Sequence, residues 1–220
     1  MAIDVGILTR PLPRQAPPKE QITFDEFCGI IREDQKADLI NGVIYMASPP
    51  AFEHENLFGF LLAVLRIYVR EEGLGHVLGS RAAMKLSEID APEPDLMFVS
   101  KAKLPHSKGK ALFGAADLVI ELVSPGSRHL DLIEKRDLYA KFGVREYWVI
   151  DAFRQTACFW KNSGNGLIDI PIDHMGVIRS AVIPGFWLRV DWLFAQELPN
   201  GREIIRLVLA GDSSDLYQAG

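Results

Sequence analysis

A mixed α/β fold built as one domain is predicted by three features of the sequence. Asn41-Gly42 separates two apolar runs as a hairpin turn would, residues 53 to 72 form an amphipathic helical stretch, and residues 117 to 151 alternate strand, helix and strand. The third feature is a crossover unit, which favours at least one parallel strand pair beside the antiparallel hairpin. With 220 residues, 48% of them apolar and 24% charged, the chain has the apolar content for one hydrophobic core.

Residues 1 to 20 carry Pro11, Pro13, Pro17 and Pro18 without a periodic apolar pattern, so an extended arm is expected there. Thr23 with Glu26 three positions on is a capping box, and Phe24, Phe27, Ile30 and Ile31 predict a short helix over about 24 to 33. Residues 37 to 40 and 43 to 46 flank Asn41-Gly42, the pair that best tolerates positive φ at both turn positions. From 53 to 72, Leu57, Leu61, Leu62, Leu65 and Val69 share one side of a long helix that Gly73 closes.

Strands follow at 76 to 86, 93 to 99 and 117 to 124, with a loop bearing Lys101, Lys103, Lys108 and Lys110 between the last two. Ser127 is placed to cap a helix running to about 142, with Leu130, Ile133 and Leu138 facing a core and Gly143 ending it. Residues 145 to 151 turn extended and apolar, and short strands are expected at 156 to 161, 167 to 172 and 177 to 183. Residues 201 to 220 are expected to form a C-terminal tail.

Composition narrows the function. A net charge of −5 is at odds with coating nucleic acid by counterion release alone, so any nucleic-acid binding needs a local basic face. No run approaches the roughly 20 apolar residues of a membrane span, and no secretory signal opens the chain, which points to a soluble, cytoplasmic protein without a membrane partner. Cys28 and Cys158 belong to no zinc-type cluster and are expected as two reduced, buried thiols. His76, His106, His129 and His174 show no metal-ligand spacing, and neither a GxSxG elbow nor a GxxxxGK loop occurs. Trp148 and Trp160, inside strand-like runs, are expected in the core.

Two acids stand out. Asp95 opens an apolar strand after Pro94, and Glu121 lies within Leu118 to Val123, a strand that should be largely buried. A buried carboxylate needs a cation, a metal or a proton, because leaving it bare costs several kcal/mol. Mg²⁺ takes oxygen ligands, usually one or two carboxylates with water and phosphate completing its shell, and Asp95 with Glu121 supplies that minimal set. Asp131, Lys135 and Tyr139 recur every four residues and share one helix face. Spacing alone leaves them open between a functional cluster and an ordinary surface ion pair worth about 0.2 to 0.5 kcal/mol.

Taken in series, the segments Asp38-Leu39-Ile40-Asn41-Gly42, His54, Glu93-Pro94-Asp95-Leu96, Asp117 to Ser124 with Glu121 inside it, Asp131 with Lys135 and Tyr139, and Gly143 to Asp151 resemble the Uma family of "putative restriction endonucleases". Pro184-Gly185-Phe186 and Leu193-Phe194 resemble that family's closing segment, so the likeness runs from about 23 to 195. Each motif is weak alone; their order and spacing carry the resemblance. It implies a restriction-endonuclease-like core over residues 21 to 200, with a central mixed sheet flanked by helices and a PD-(D/E)XK site. Asp95 is then the PD aspartate and Glu121 the second acid, together holding Mg²⁺, with Mn²⁺ as a possible substitute.

One departure stands in that pattern. The usual lysine two positions after the second acid is replaced here by Val123. Lys135 is the expected substitute, since related folds move this lysine onto a helix. The resemblance also brings Asp38 and His54 toward the metal or the attacking water, with Asp131, Tyr139 and Ser124 as supporting residues, while a solvated acid, a hydrogen-bonded histidine and a buried tyrosine remain their ordinary alternatives. Nucleic acid, DNA in the first place, is the implied partner, contacted by the lysine loop and Arg128, and a homodimer is the common assembly for duplex cleavage. The rivals are a binding or regulatory module that keeps the fold without activity, and a metal-dependent hydrolase of small phosphoesters.

Overall fold

The computed structural model describes residues 21–32, 34–109 and 111–211. The expected arm, Lys110 and the last residues of the tail lie outside them. In chain order the elements are α1 (Phe24–Ile30), β1 (Ala37–Ile40), β2 (Val43–Met46), α2 (Phe52–Glu71), β3 (Gly75–Gly79), β4 (Ala83–Lys85), β5 (Leu96–Ser100), β6 (Ser107–Lys108), β7 (Ala111–Phe113) and β8 (Leu118–Leu122). A π turn at Leu130–Glu134 then runs into α3 (Lys135–Phe142), followed by β9 (Glu146–Asp151), β10 (Thr156–Asn162), β11 (Leu167–Asp169), β12 (Val177–Arg179), β13 (Trp187–Arg189) and α4 (Gly201–Ala210).

The central sheet has six strands in the order β11-β10-β9-β8-β5-β3. The pair β8 and β9 is parallel, and the other four pairings are antiparallel. The parallel pair is the one joined by the π turn and α3, as the crossover pattern requires. The fold is therefore the expected mixed sheet flanked by helices.

Side-chain alternation along the strands divides the core in two. Leu96, Phe98, Leu118, Ile120, Leu122, Trp148 and Ile150 pack with α2 and α4 on one face. Met97, Val99, Val119, Val123, Tyr147 and Val149 pack with Leu138 and Tyr139 of α3 on the other. Glu121 falls by parity on the α3 face, between Val119 and Val123. All six residues of β9 are buried, as befits a strand covered on both faces.

Local signals act where the sequence places them. Thr23 and Glu26 form the reciprocal capping box of α1. Asn41 at φ 51° and Gly42 at φ 69° turn β1 into β2, pairing Ile40 with Val43. Gly73, at φ 60°, follows the end of α2.

Several expectations change, among them Ile133, expected to face the core and here exposed. The run 76–86 splits at a turn containing Arg81, whose φ is 82°, so β3 joins the central sheet and β4 pairs with β7 in a smaller one. Ser127 does not cap the following helix; its hydroxyl accepts from the Ser124 N–H at 3.0 Å, closing the loop behind it. Residues 201 to 210, expected within a tail, form α4, which buries Ile204, Ile205 and Val208 against the α2 side of the core. The two cysteines form no disulfide, but Cys28 is exposed and Cys158 only half-buried, since α1 presents Phe27 to the core and turns Cys28 outward.

Glu146 ties the sheet to the segment before β13. Fully buried, it accepts hydrogen bonds from Trp148 Nε1 (2.6 Å), Ser180 Oγ (2.9 Å), Ala181 N (2.7 Å) and Val182 N (3.0 Å). Glu146→Ala would leave Trp148 Nε1 and Ala181 N without an acceptor, Val182 N keeping Ser180 Oγ at 3.2 Å, and a loss of about 3 kcal/mol is expected in urea unfolding. A midpoint within error of the parent would show that this network contributes nothing net.

Candidate active site

Asp95 immediately precedes β5 and Glu121 lies near the end of β8, and these strands pair so that Leu96 faces Ile120. The two acids are thereby held side by side and clasped through the backbone. Leu122 N donates to Asp95 Oδ2 at 2.8 Å, and Asp95 N donates to Glu121 Oε2 at 3.4 Å. Both are buried, at the base of a cleft of about 990 Å³.

Lys135 enters from the α3 face. Its Nζ lies 2.8 Å from Asp38 Oδ2, 3.0 Å from Glu121 Oε1 and 3.4 Å from Asp131 Oδ1. Asp131 and Lys135 are therefore no surface pair: both are buried, and the ammonium is shared among three acids from three elements. The π turn that carries Asp131 is a local widening of the kind often found at functional sites. Tyr139, one turn beyond Lys135, donates its hydroxyl to Glu121 Oε1 at 2.8 Å. Val123, where the usual lysine would stand, packs on this same face with Leu138 and Tyr139. A side chain from α3 thus supplies the ammonium to the face on which the strand would otherwise have provided it.

Asp38, on β1, bridges Lys135 and the Glu93 backbone, whose N–H reaches its Oδ1 at 2.7 Å. His54, in the first turn of α2, places Nε2 3.6 Å from Asp95 Oδ2. Its buried Nδ1 has no hydrogen-bond partner and lies 3.5 Å from Glu55 Oε1. Ser124 lines the cleft but bonds only within its own loop, through Ser127. Asp38, His54, Asp131, Tyr139 and Lys135 thus converge on the two acids, and Ser124 stands apart.

The described part of the lysine loop does not converge. Asp95 precedes β5 and Lys101 follows it, so the loop leaves from the opposite end of the strand. Lys103 donates to Ala115 O at 2.8 Å and pairs with Asp117 at 3.2 Å, roughly 13 Å along β8 from Glu121. Arg128 is paired with Asp151 at 2.9 Å. Among the described residues, Lys101, Lys103 and Arg128 therefore form no basic face at the cleft.

Lys36 is the residue the sequence did not flag. Its Nζ forms an ion pair with Asp95 Oδ1. The available signal was its position two residues before Asp38, which places both on one side of an extended segment.

Electrostatics follows from this packing. Burial would raise the Asp95 carboxyl, but His54, the Lys36 ammonium and the Leu122 N–H hold it well below the usual carboxylate range. Burial pushes Glu121 up to about 8; Lys135 pulls it down, while Asp131, Asp95 and Asp38 push it further up. Burial would lower Lys135, yet Asp38, Glu121 and Asp131 hold it well above the ordinary lysine value.

Four carboxylates, Asp38, Asp95, Glu121 and Asp131, meet two ammonium groups, Lys36 and Lys135, so with every acid ionised and His54 neutral two negative charges are in excess (4 − 2 = 2). That excess, all on oxygen, suits a divalent hard cation. Among the described residues no set of three or more His, Cys, Asp and Glu forms a metal cage. A pair of carboxylates is nonetheless what Mg²⁺ commonly takes from protein, so Asp95 and Glu121 fit it.

Comparison with known proteins agrees with this architecture. A solved structure described as a "putative nuclease belonging to DUF820" from Anabaena variabilis superposes with a TM-score of 0.66 at 19% identity, covering 79% of this chain and 97% of that one. No curated protein sequence matches the chain. Among the described residues no helix is long and apolar enough to cross a membrane. The family model described as "Uma2: Putative restriction endonuclease" matches residues 23–191, most of the chain and all of the converging side chains, and the chain belongs to that family.

Proposed function

We propose that this protein is a metal-dependent nuclease that hydrolyses phosphodiester bonds of nucleic acid, with DNA as the first candidate and Mg²⁺, or Mn²⁺ in its place, as the ion. The observation that carries this reading is the clasp of Asp95 and Glu121 on paired strands at the base of an open cleft, with the Lys135 ammonium 3.0 Å from Glu121. Asp95 and Glu121 would hold the ion, which when bound polarises the phosphate and lowers the pKa of a water. Tyr139 and Lys135 fix the orientation of Glu121, and Asp38 and Asp131 fix Lys135 in turn. His54 stands beside Asp95 as a positioning residue.

Incubation with supercoiled plasmid, linear duplex, single-stranded DNA and RNA, in Mg²⁺ or Mn²⁺ and against EDTA, tests the proposal. Cleavage of at least one substrate that EDTA abolishes is expected. Binding without cleavage would assign the chain to the inactive-module class instead.

Metal binding should also release protons. A carboxyl at about 8 is mostly protonated at pH 7 and must ionise to become a ligand, so Mn²⁺ affinity should rise with pH and level off above about 8. Calorimetric titration in buffers of different ionisation heat reads this directly. Affinity independent of pH between 6 and 8 would remove Glu121 from the ligand set.

A further inference from the structure

A phosphodiester entering this cleft brings negative charge to a place that already holds more carboxylates than ammonium groups, so a cation of the protein itself is wanted beside the proposed ion. Lys135 cannot do so without giving up a partner, since its three ammonium hydrogens face three carboxylates and its side chain is only 4% exposed. The lysine loop leaves from the far end of β5, and Arg128 is engaged with Asp151. Arg81 lines the cleft but donates to Asp34 O.

Lys36 differs from all of these. It lines the cleft with its side chain 22% exposed, and its one carboxylate partner among the described residues is Asp95. Its backbone is anchored, because Ala47 N donates to Lys36 O at 3.0 Å. A fixed Cα and a flexible four-carbon stem let the ammonium move over the mouth of the acid pair without moving the chain. Asp95 meanwhile keeps the Leu122 N–H and the His54 imidazole when that ammonium turns away.

We propose that Lys36 is a substrate-contacting residue: its ammonium, held on Asp95 Oδ1 in the free protein, hydrogen-bonds a non-bridging oxygen of the nucleic-acid phosphate beside the two acids. The proposal rests on the nuclease function given above, and it divides the work between two lysines. Lys135 organises the acids from behind, and Lys36 meets the substrate in front.

Binding without cleavage isolates the contact. Fluorescein-labelled duplex DNA, its single strand and the matching RNA are titrated in EDTA across a salt series, and anisotropy gives the slope of log K against log salt. For the nucleic acid that binds, Lys36→Met is expected to weaken binding about tenfold and to reduce that slope by about 0.9 for a duplex or about 0.7 for a single strand, the signature of one lost phosphate contact. Lys36→Arg should keep the parent slope. Lys135→Met should keep it as well, since that ammonium does not reach substrate.

A parent slope in folded Lys36→Met, or an equal loss in Lys36→Arg, would overturn the assignment while leaving the nuclease reading intact. Absence of binding by the parent protein to all three nucleic acids in EDTA would overturn the contact, whereas the nuclease reading falls only if metal-dependent cleavage is absent as well. Should Lys36→Met fail to fold, the Lys36 Nζ resonance of the parent protein, assigned through its disappearance in Lys36→Arg, takes its place. It is expected to shift when the duplex is added in EDTA, and an unmoved resonance would refute the contact.

Discussion

Asp95→Asn and Glu121→Gln are each expected to lower cleavage by about a thousandfold or more, and to do so with opposite effects on stability. Either change removes one of the two carboxylates that would hold the ion, so metal affinity falls with activity. The stability signs differ because the two acids sit in opposite electrostatic situations. Asp95 is held below its ordinary pKa, so it contributes stability that is present above about pH 4 and lost only as pH falls through its lower folded value. Asparagine forgoes that contribution and leaves Lys36 facing an amide, at a cost of about 2 kcal/mol at neutral pH.

Glu121 is raised, from 4.5 to about 8, so its contribution is present below about pH 4.5 and lost as pH climbs through 8. Glutamine mimics the protonated form, can still accept from Lys135 and Tyr139, and escapes that loss. Glu121→Gln should therefore melt at or above the parent temperature at pH 8, with the advantage fading toward pH 5. An inactive yet more stable variant marks a site where stability has been given up for function. Single-turnover cleavage and thermal melts across pH measure both quantities. Parent-level cleavage by either folded variant would remove that residue from the site.

Much of this arrangement was legible because it is encoded locally. The Asn41-Gly42 turn, the amphipathic stretch of α2 and the crossover from β8 to β9 are set by neighbouring residues, and they fix where Asp95, Glu121 and Lys135 go. Burial of the acids followed from the apolar runs around them. The i, i+4 spacing of Asp131, Lys135 and Tyr139 was visible too, but spacing cannot say whether a polar face meets solvent or a neighbouring sheet. Only the tertiary packing of α3 shows that it meets Glu121 and Asp38.

What sequence left hidden depends on contacts distant along the chain. Lys36 lies 59 positions from Asp95, in a segment without regular structure, and beyond its spacing to Asp38 nothing local announces the pairing. The lysine loop is the opposite case: its charge density suggested a nucleic-acid face, and strand polarity starts it at the end of β5 away from the acids. For α4, Asn200 caps the helix and Ile204, Ile205 and Val208 repeat behind it, a signal compressed into ten residues and easily read as tail. The site's basic groups prove to be single buried or half-buried lysines, not a cluster, which accords with the acidic balance of the whole chain.

Lys135→Met is expected to lower turnover about a hundredfold or more, roughly 3 kcal/mol of barrier, without weakening metal binding. The ammonium competes with a divalent ion for Glu121, so its removal should leave Mn²⁺ affinity unchanged or stronger, whereas Asp95→Ala should weaken it. The same substitution strands Asp38, Glu121 and Asp131 without their shared cation. Removing one partner of a buried ionic cluster costs about 3 to 5 kcal/mol, and that is the loss expected near neutral pH. The sign of its pH dependence follows from the partners. Lys135 is raised well above its ordinary pKa, so its contribution is complete below about pH 10 and constant from pH 5 to 9 in the parent. In the variant the stranded acids escape by taking up protons, so the deficit should shrink toward pH 5 and grow toward pH 8. Adding Glu121→Gln to Lys135→Met removes one stranded charge and should recover part of the stability at pH 8 while recovering no cleavage. Urea unfolding at the two pH values, calorimetric Mn²⁺ titration and single-turnover cleavage on the three variants distinguish the possibilities. Normal turnover in Lys135→Met, with the stability loss intact, would make this lysine a structural counterion and leave the chemistry to Asp95, Glu121 and Lys36.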